Sequence, residues 1–203
     1  MSFNKQDTLA GYYLITLRPS TQGVLLANNS ERAFVISCLQ DSLTMRLYPE
    51  IQHPSRAMSA HIDLLAFSIL KEAIQLVVFA IAPTSAQSLA TLLHQSIQQH
   101  KNEWMYEQSP SKDHLHIKTS LRKLAGQHDA LQVSVHLHIN HLDWEYDRYS
   151  SIGFFLHDRR GDWMRLWRLT HLYENDASNY RNLCVLALND YKLHTVQFSY
   201  LTA

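Results

Sequence analysis

Three histidines stand close together in HLHINH, at His136, His138 and His141. On a strand, His136 and His138 share a face and could hold a metal ion; on a helix, His138 and His141 are neighbours and His136 points elsewhere. A catalytic zinc needs three protein ligands, and no acidic or thiol ligand lies at a recognisable spacing. The reading that competes with a metal site is three ordinary, partly exposed histidines. His114 and His116 repeat the alternation in a second segment. A different chemistry is offered by Trp144, Tyr146, Tyr149, Trp163, Trp167 and Tyr173, with Arg159, Arg160, Arg165 and Arg168 among them. Flat rings interleaved with cations can stack on unpaired bases. The plainer alternative makes Trp163 and Trp167, four apart, one helix face packed on the core. No glycine-rich phosphate loop, HExxH or GxSxG element is present.

These residues must be carried by one ordinary domain, or a domain with a modest appendage, since the chain has 203 residues. Its apolar fraction of 46% excludes a disordered chain, and charged residues are only 18%. Eighteen Lys and Arg balance eighteen Asp and Glu. That excludes a surface that grips nucleic acid all over, but not a local basic patch. The densest positive charge is Lys112, Lys118, Arg122 and Lys123. Cys38 and Cys184 cannot build a disulfide framework and read as buried free thiols. With no signal pattern at the N-terminus, and Lys71, Glu72 and Gln75 interrupting the most apolar stretch, the chain is expected to be soluble and cytoplasmic.

Periodicity then assigns elements. GYYLITLR (11–18) alternates and stops at Pro19, which predicts a strand. SERAFVISCLQDSL (30–43) predicts a helix with Phe34, Ile36, Leu39 and Leu43 on its apolar face. Ile62 to Leu70 and Ile74 to Ile81 are apolar runs broken at Lys71-Glu72, which suggests a buried hairpin, although periodicity does not separate this from a helix. Ala86 to Met105 predicts a long helix, and DHLHIKTSLRKL a strand. LQVSVHLHIN alternates perfectly and on pattern alone is a strand. Trp163 to Ala203 holds a helical candidate and a final run, LHTVQFSYL, that could be a strand. Strands and helices intermix, so the fold class is α+β.

The order of these pieces resembles the REP-associated tyrosine transposases, within the single-tyrosine HUH endonucleases. Tyr13-Leu14-Ile15-Thr16-Leu17-Arg18 is similar to the family's opening strand Y-H-V-T-x-R. Ala66 to Val78 (AFSILKEAIQLVV) is similar to A-Y-V-x-M-P-N-H-x-H-L-L-V, and His136 to His141 to Y-I-x-L-N-P. Tyr149-Ser150-Ser151 stands where the family has W-S-S, followed by Gly161-Asp162-Trp163. The match runs over roughly residues 10 to 190 in order and spacing, with each motif altered. The resemblance implies a ferredoxin-like α+β sandwich with a central antiparallel sheet and helices packed on it. It makes residues 1–162 the transposase-like domain and 163–203 an extension packed on it, places 128–140 on a helix, and puts Lys71-Glu72 in a strand turn.

In such enzymes a histidine pair on one strand face holds a divalent metal while a tyrosine attacks the scissile phosphate. The matching positions here are Ala73 and Gln75 for the pair and His136 for the tyrosine. The resemblance thus implies a vestigial centre, no bound cofactor and no cleavage, so that the expected role is at most binding of hairpin or single-stranded DNA. Arg18, Lys118, Arg122 and Lys123 are the expected phosphate contacts. The alternative is a domain repurposed to bind a protein or small ligand, with no nucleic-acid role. An active nuclease with relocated ligands at His136, His138 and His141 is the third reading. No membrane partner is expected, and the sequence leaves monomer or homodimer open.

Overall fold

A computed structural model describes residues 10–21, 23–44, 61–108, 116–140, 143–157 and 159–201. Lys112, His114 and His141 lie outside them, so their expected roles are not placed. Four strands, β1 (Gly11–Pro19), β2 (Ile62–Ile69), β3 (Ile74–Ala80) and β4 (Ile117–Lys123), form a sheet of order β2-β3-β1-β4 with every neighbouring pair antiparallel. Helix α1 (Asn29–Leu43) joins β1 to β2 and helix α2 (Pro83–Gln108) joins β3 to β4. This β-α-β-β-α-β order is the ferredoxin-like arrangement, and the α+β class expected from the sequence is the one that forms.

The chain continues through α3 (Gln127–Ile139), a 3-10 turn at Trp144–Tyr146, the short helices α4 (Ile152–Leu156) and α5 (Trp167–Thr170), and α6 (Ala177–Leu201). Helices α1 and α2 pack on one face of the sheet, where Ile15 and Leu17 of β1 meet Leu76 and Ile74 of β3 in register, all fully buried. Helix α3 crosses β2, β3 and β1 on the other face. No described helix is long and apolar enough to cross a membrane.

Local chemistry explains the element ends. Asn28 caps α1 by accepting the Glu31 N–H at 2.9 Å. The Glu31 carboxylate reaches back to the Ala27 N–H at 2.7 Å, one residue before the usual partner of a capping box. The β2–β3 hairpin closes at Lys71-Glu72, with the Leu70 N–H donating to the Ala73 carbonyl at 2.8 Å. Pro83 opens α2, where a missing N–H costs nothing.

Helix α3 overrides the period-two pattern of its sequence. Its buried residues are Ala130, Leu131, Ser134, Val135, Leu137 and His138, which recur at helical spacing. The two that break the apolar pattern, Ser134 and His138, are buried because each has a partner. The Ser134 hydroxyl donates to the Ala130 carbonyl at 2.7 Å, and His138 is bonded through both ring nitrogens.

Other expectations are corrected. The final run LHTVQFSYL continues α6 to Leu201 and forms no strand, because it extends a helix already anchored by buried Tyr180 and Cys184. Trp163 and Trp167 do not share a helix face: Trp163 lies buried in the turn before α5, and Trp167 opens α5 at 60% exposure. In α1, Leu39 and Leu43 are buried as expected, Phe34 and Ile36 are only half-buried, and Val35 joins the core instead.

One buried ion pair ties α1 to α2. Lys101 Nζ lies 2.5 Å from Glu31 Oε2, both residues are buried, and Glu31 Oε1 has no hydrogen-bond partner. Breaking such a pair from one side strands a charge in low dielectric. Lys101→Met is therefore expected to cost about 3–5 kcal/mol in urea unfolding. Glu31→Gln added to it should recover part of that loss, since the amide oxygen still accepts the Ala27 N–H.

Candidate functional site

The face opposite α1 and α2 carries Tyr12, Leu14, Thr16 and Arg18 of β1, by strict alternation. Register then aligns a polar row across the whole sheet. Thr16 faces Ser120 of β4 on one side and Gln75 of β3 on the other; Gln75 faces Ser68 of β2. An isolated bridge extends the row from Ser68 to Ser150. Ser68 and Ser150 are fully buried, Thr16 is 6% exposed, Gln75 is half-buried and Ser120 is exposed. The row thus runs from beneath α3 out to solvent at β4. The side chains of Thr16, Gln75 and Ser120 make no hydrogen bond among the described residues.

Positive charge flanks the open end. Lys118, Ser120 and Arg122 alternate onto the same face of β4, and Arg18 lies directly opposite Lys118. All three cations are exposed, and none forms an ion pair among the described residues. Directly opposed like charges are destabilising by tenths of a kcal/mol or more. Lys123, the fourth expected contact, pairs with Tyr13 and therefore belongs to the other face.

The positions expected to be vestigial, Ala73, Gln75 and His136, do not converge. Ala73 sits in the hairpin turn and offers a methyl group, with its carbonyl already taken by Leu70. Gln75 lies in β3 on the row. His136 is on the exposed side of α3, two residues and so about 200° round the helix from buried Ser134. Its Nδ1 is 2.7 Å from the Gln132 carbonyl. It lines an open groove of about 570 Å³ between α3 and α6, with Leu131, Val135, Leu183 and Tyr191. Gln75 is poorly suited to a divalent cation: its neighbours in register are the hydroxyls of Thr16 and Ser68, with no carboxylate, thiolate or imidazole in register beside it among the described residues. No cluster of three metal-capable side chains occurs among the described residues.

His138 belongs to a buried network. Its Nδ1 lies 2.8 Å from the Tyr180 hydroxyl and its Nε2 2.7 Å from Ser151 Oγ. Burial pushes the Tyr180 phenol well above its ordinary pKa, with Cys184 and Tyr173 adding to the shift, so it remains a donor. Nδ1 then accepts, and the ring hydrogen sits on Nε2 and is donated to Ser151. Ser151 Oγ in turn donates to the Phe67 carbonyl at 3.2 Å and accepts the Phe67 N–H at 2.8 Å. This orientation, assigned from the network, gives every one of these hydrogens an acceptor. It also leaves no nitrogen of His138 for a metal.

The aromatic and arginine set divides in the same way. Trp144, Tyr149, Trp163 and Tyr173 are core residues, whereas Tyr146 and Trp167 are exposed at 76% and 60%. Arg168 is committed to Asp63 at 2.5 Å and lies 3.6 Å over the Phe79 ring. Arg165 bonds the Asp162 carbonyl. Sequence reasoning missed the polar row altogether; its one signal was a polar residue, Thr16 or Gln75, in the middle of an otherwise apolar strand.

Tyr180→Phe removes the donor to His138 while keeping the ring stack at 4.3 Å on Phe155, and should cost about 1–3 kcal/mol in denaturant unfolding. Burial, with a contribution from Glu145, also pushes the Cys184 thiol up to about 12. Folded Cys184 and Tyr180 keep protons that the unfolded chain releases. Stability should therefore be level below about pH 8.5 and fall as pH rises toward 12, as thermal melts across that range would record. Cys184 should resist thiol reagents until the protein unfolds.

No family model matches this sequence, and no curated protein does. Among solved structures, the chain is similar to a REP-associated tyrosine transposase bound to a REP hairpin, with 11% identity, a TM-score of 0.48, and coverage of 81% of this chain and 94% of that one.

Proposed function

We propose that this chain binds hairpin or single-stranded DNA on the open half of the sheet face, and does not cut it. The observation that carries the reading is the union of Arg18, Lys118 and Arg122 with unpartnered Ser120 on one exposed face. Unpaired cations beside hydroxyl donors suit a polyanion with many acceptor oxygens. The neutral net charge of the chain then keeps attraction local to this patch. Absence of cleavage rests on chemistry: a methyl group at Ala73 and a neutral amide at Gln75 offer poor ligands for a cation, and His136 faces away from the sheet. In this reading the protein needs no metal cofactor, and residues 163–203 serve to pack the transposase-like domain.

The exposed Leu186 and Tyr191 of α6, at 61% and 66%, favour a second reading, a domain that binds another protein. Titration of a labelled hairpin at rising salt separates the two. With three phosphate contacts on the hairpin stem, log K should fall with log salt at a slope of about −2.7, and Arg122→Ala should flatten it by about 0.9. No binding at low salt would favour the protein-partner reading. Incubation with Mg²⁺ or Mn²⁺ should give no covalent protein–DNA adduct; an adduct would overturn the non-cleaving role.

A further inference from the structure

The row Ser120–Thr16–Gln75 crosses three adjacent strands and offers only neutral hydroxyl and amide groups beside three cations. We infer that these neutral donors take the oxygens of the DNA backbone directly, so that binding is independent of divalent metal. The inference rests on the DNA-binding reading above and specifies how that same site works.

Three observations carry it. First, Thr16 is 6% exposed and its hydroxyl makes no hydrogen bond among the described residues, which leaves it able to bond an incoming oxygen. The buried atom that truly lacks both partner and solvent among the described residues is Glu31 Oε1, so the Thr16 oxygen opens toward the surface. Second, Ser120, Thr16 and Gln75 are aligned by register on three adjacent strands. Strand spacing makes the row about 10 Å long, which suits an extended backbone presenting successive oxygens better than a single ion. Third, Arg18, Lys118 and Arg122 provide the charge that a metal would otherwise bring, and do so at fixed positions of the sheet. Hydroxyl and amide hydrogens then orient the backbone, and the cations attract it.

The experiment measures the affinity of a fluorescent DNA hairpin for the full chain in EDTA and in millimolar Mg²⁺. Wild type should bind equally in both, within about twofold. Thr16→Val, Gln75→Met and Ser120→Ala should each weaken binding about tenfold, the loss of one hydrogen bond to a charged group. Melting curves check that the variants are folded. Ser120 is exposed, so its variant tests the row even where Thr16→Val disturbs packing. Binding abolished by EDTA would overturn the inference. So would unchanged affinity in the row variants while Arg18→Ala weakens it, and in that case DNA binding itself stands. No hairpin binding by wild type at low salt would remove both.

Discussion

One buried imidazole joins α3, α6 and the edge of the sheet. His138 joins α3 to α6 through Tyr180, and joins both to the β2 backbone through Ser151 and Phe67. A neutral histidine has one donor and one acceptor, and this site gives each a partner in a single consistent direction. The same segment completes β2, where the Ile69 N–H donates to the Tyr149 carbonyl and the Ser151 N–H to the Phe67 carbonyl, both at 2.9 Å. The orientation of α3, and with it how much of the sheet face remains open, follows from that anchor.

A helix anchored through His138 must carry His136 away from the anchor. Two residues along a helix rotate a side chain to nearly the opposite side, so one position cannot be buried against Ser151 while the other faces Gln75. The pattern HLHINH by itself leaves both a strand and a helix open; the resemblance implies a helix, and the partners of buried His138 show how the helix accommodates it. Once that is fixed, His136 and His138 lie on opposite sides of the helix, one exposed and one buried.

Most elements were legible because hydrophobic spacing dictates them. The β2–β3 hairpin announces itself by the Lys71-Glu72 break, and β1 by its alternation up to Pro19. What spacing could not reveal was register between strands far apart in sequence. Thr16, Gln75 and Ser120 are separated by tens of residues and become neighbours only when β1 lies between β3 and β4. The separation of Lys123 from Arg122 needed no register, since adjacent residues of a strand point to opposite faces. The C-terminal run misled for another reason, since β-branched and aromatic residues fit a strand locally but extend a helix here.

The two margins of the sheet are treated differently. The β2 margin is sealed by residues 149–151 and by the Arg165 N–H on the Leu64 carbonyl, while among the described residues β4 has no strand beyond it. An unpaired strand invites addition of another chain, and lysine and arginine are a common deterrent. Lys118, Arg122 and Lys123 make β4 repel a copy of itself, so the residues that would draw in a polyanion also guard the protein against aggregation.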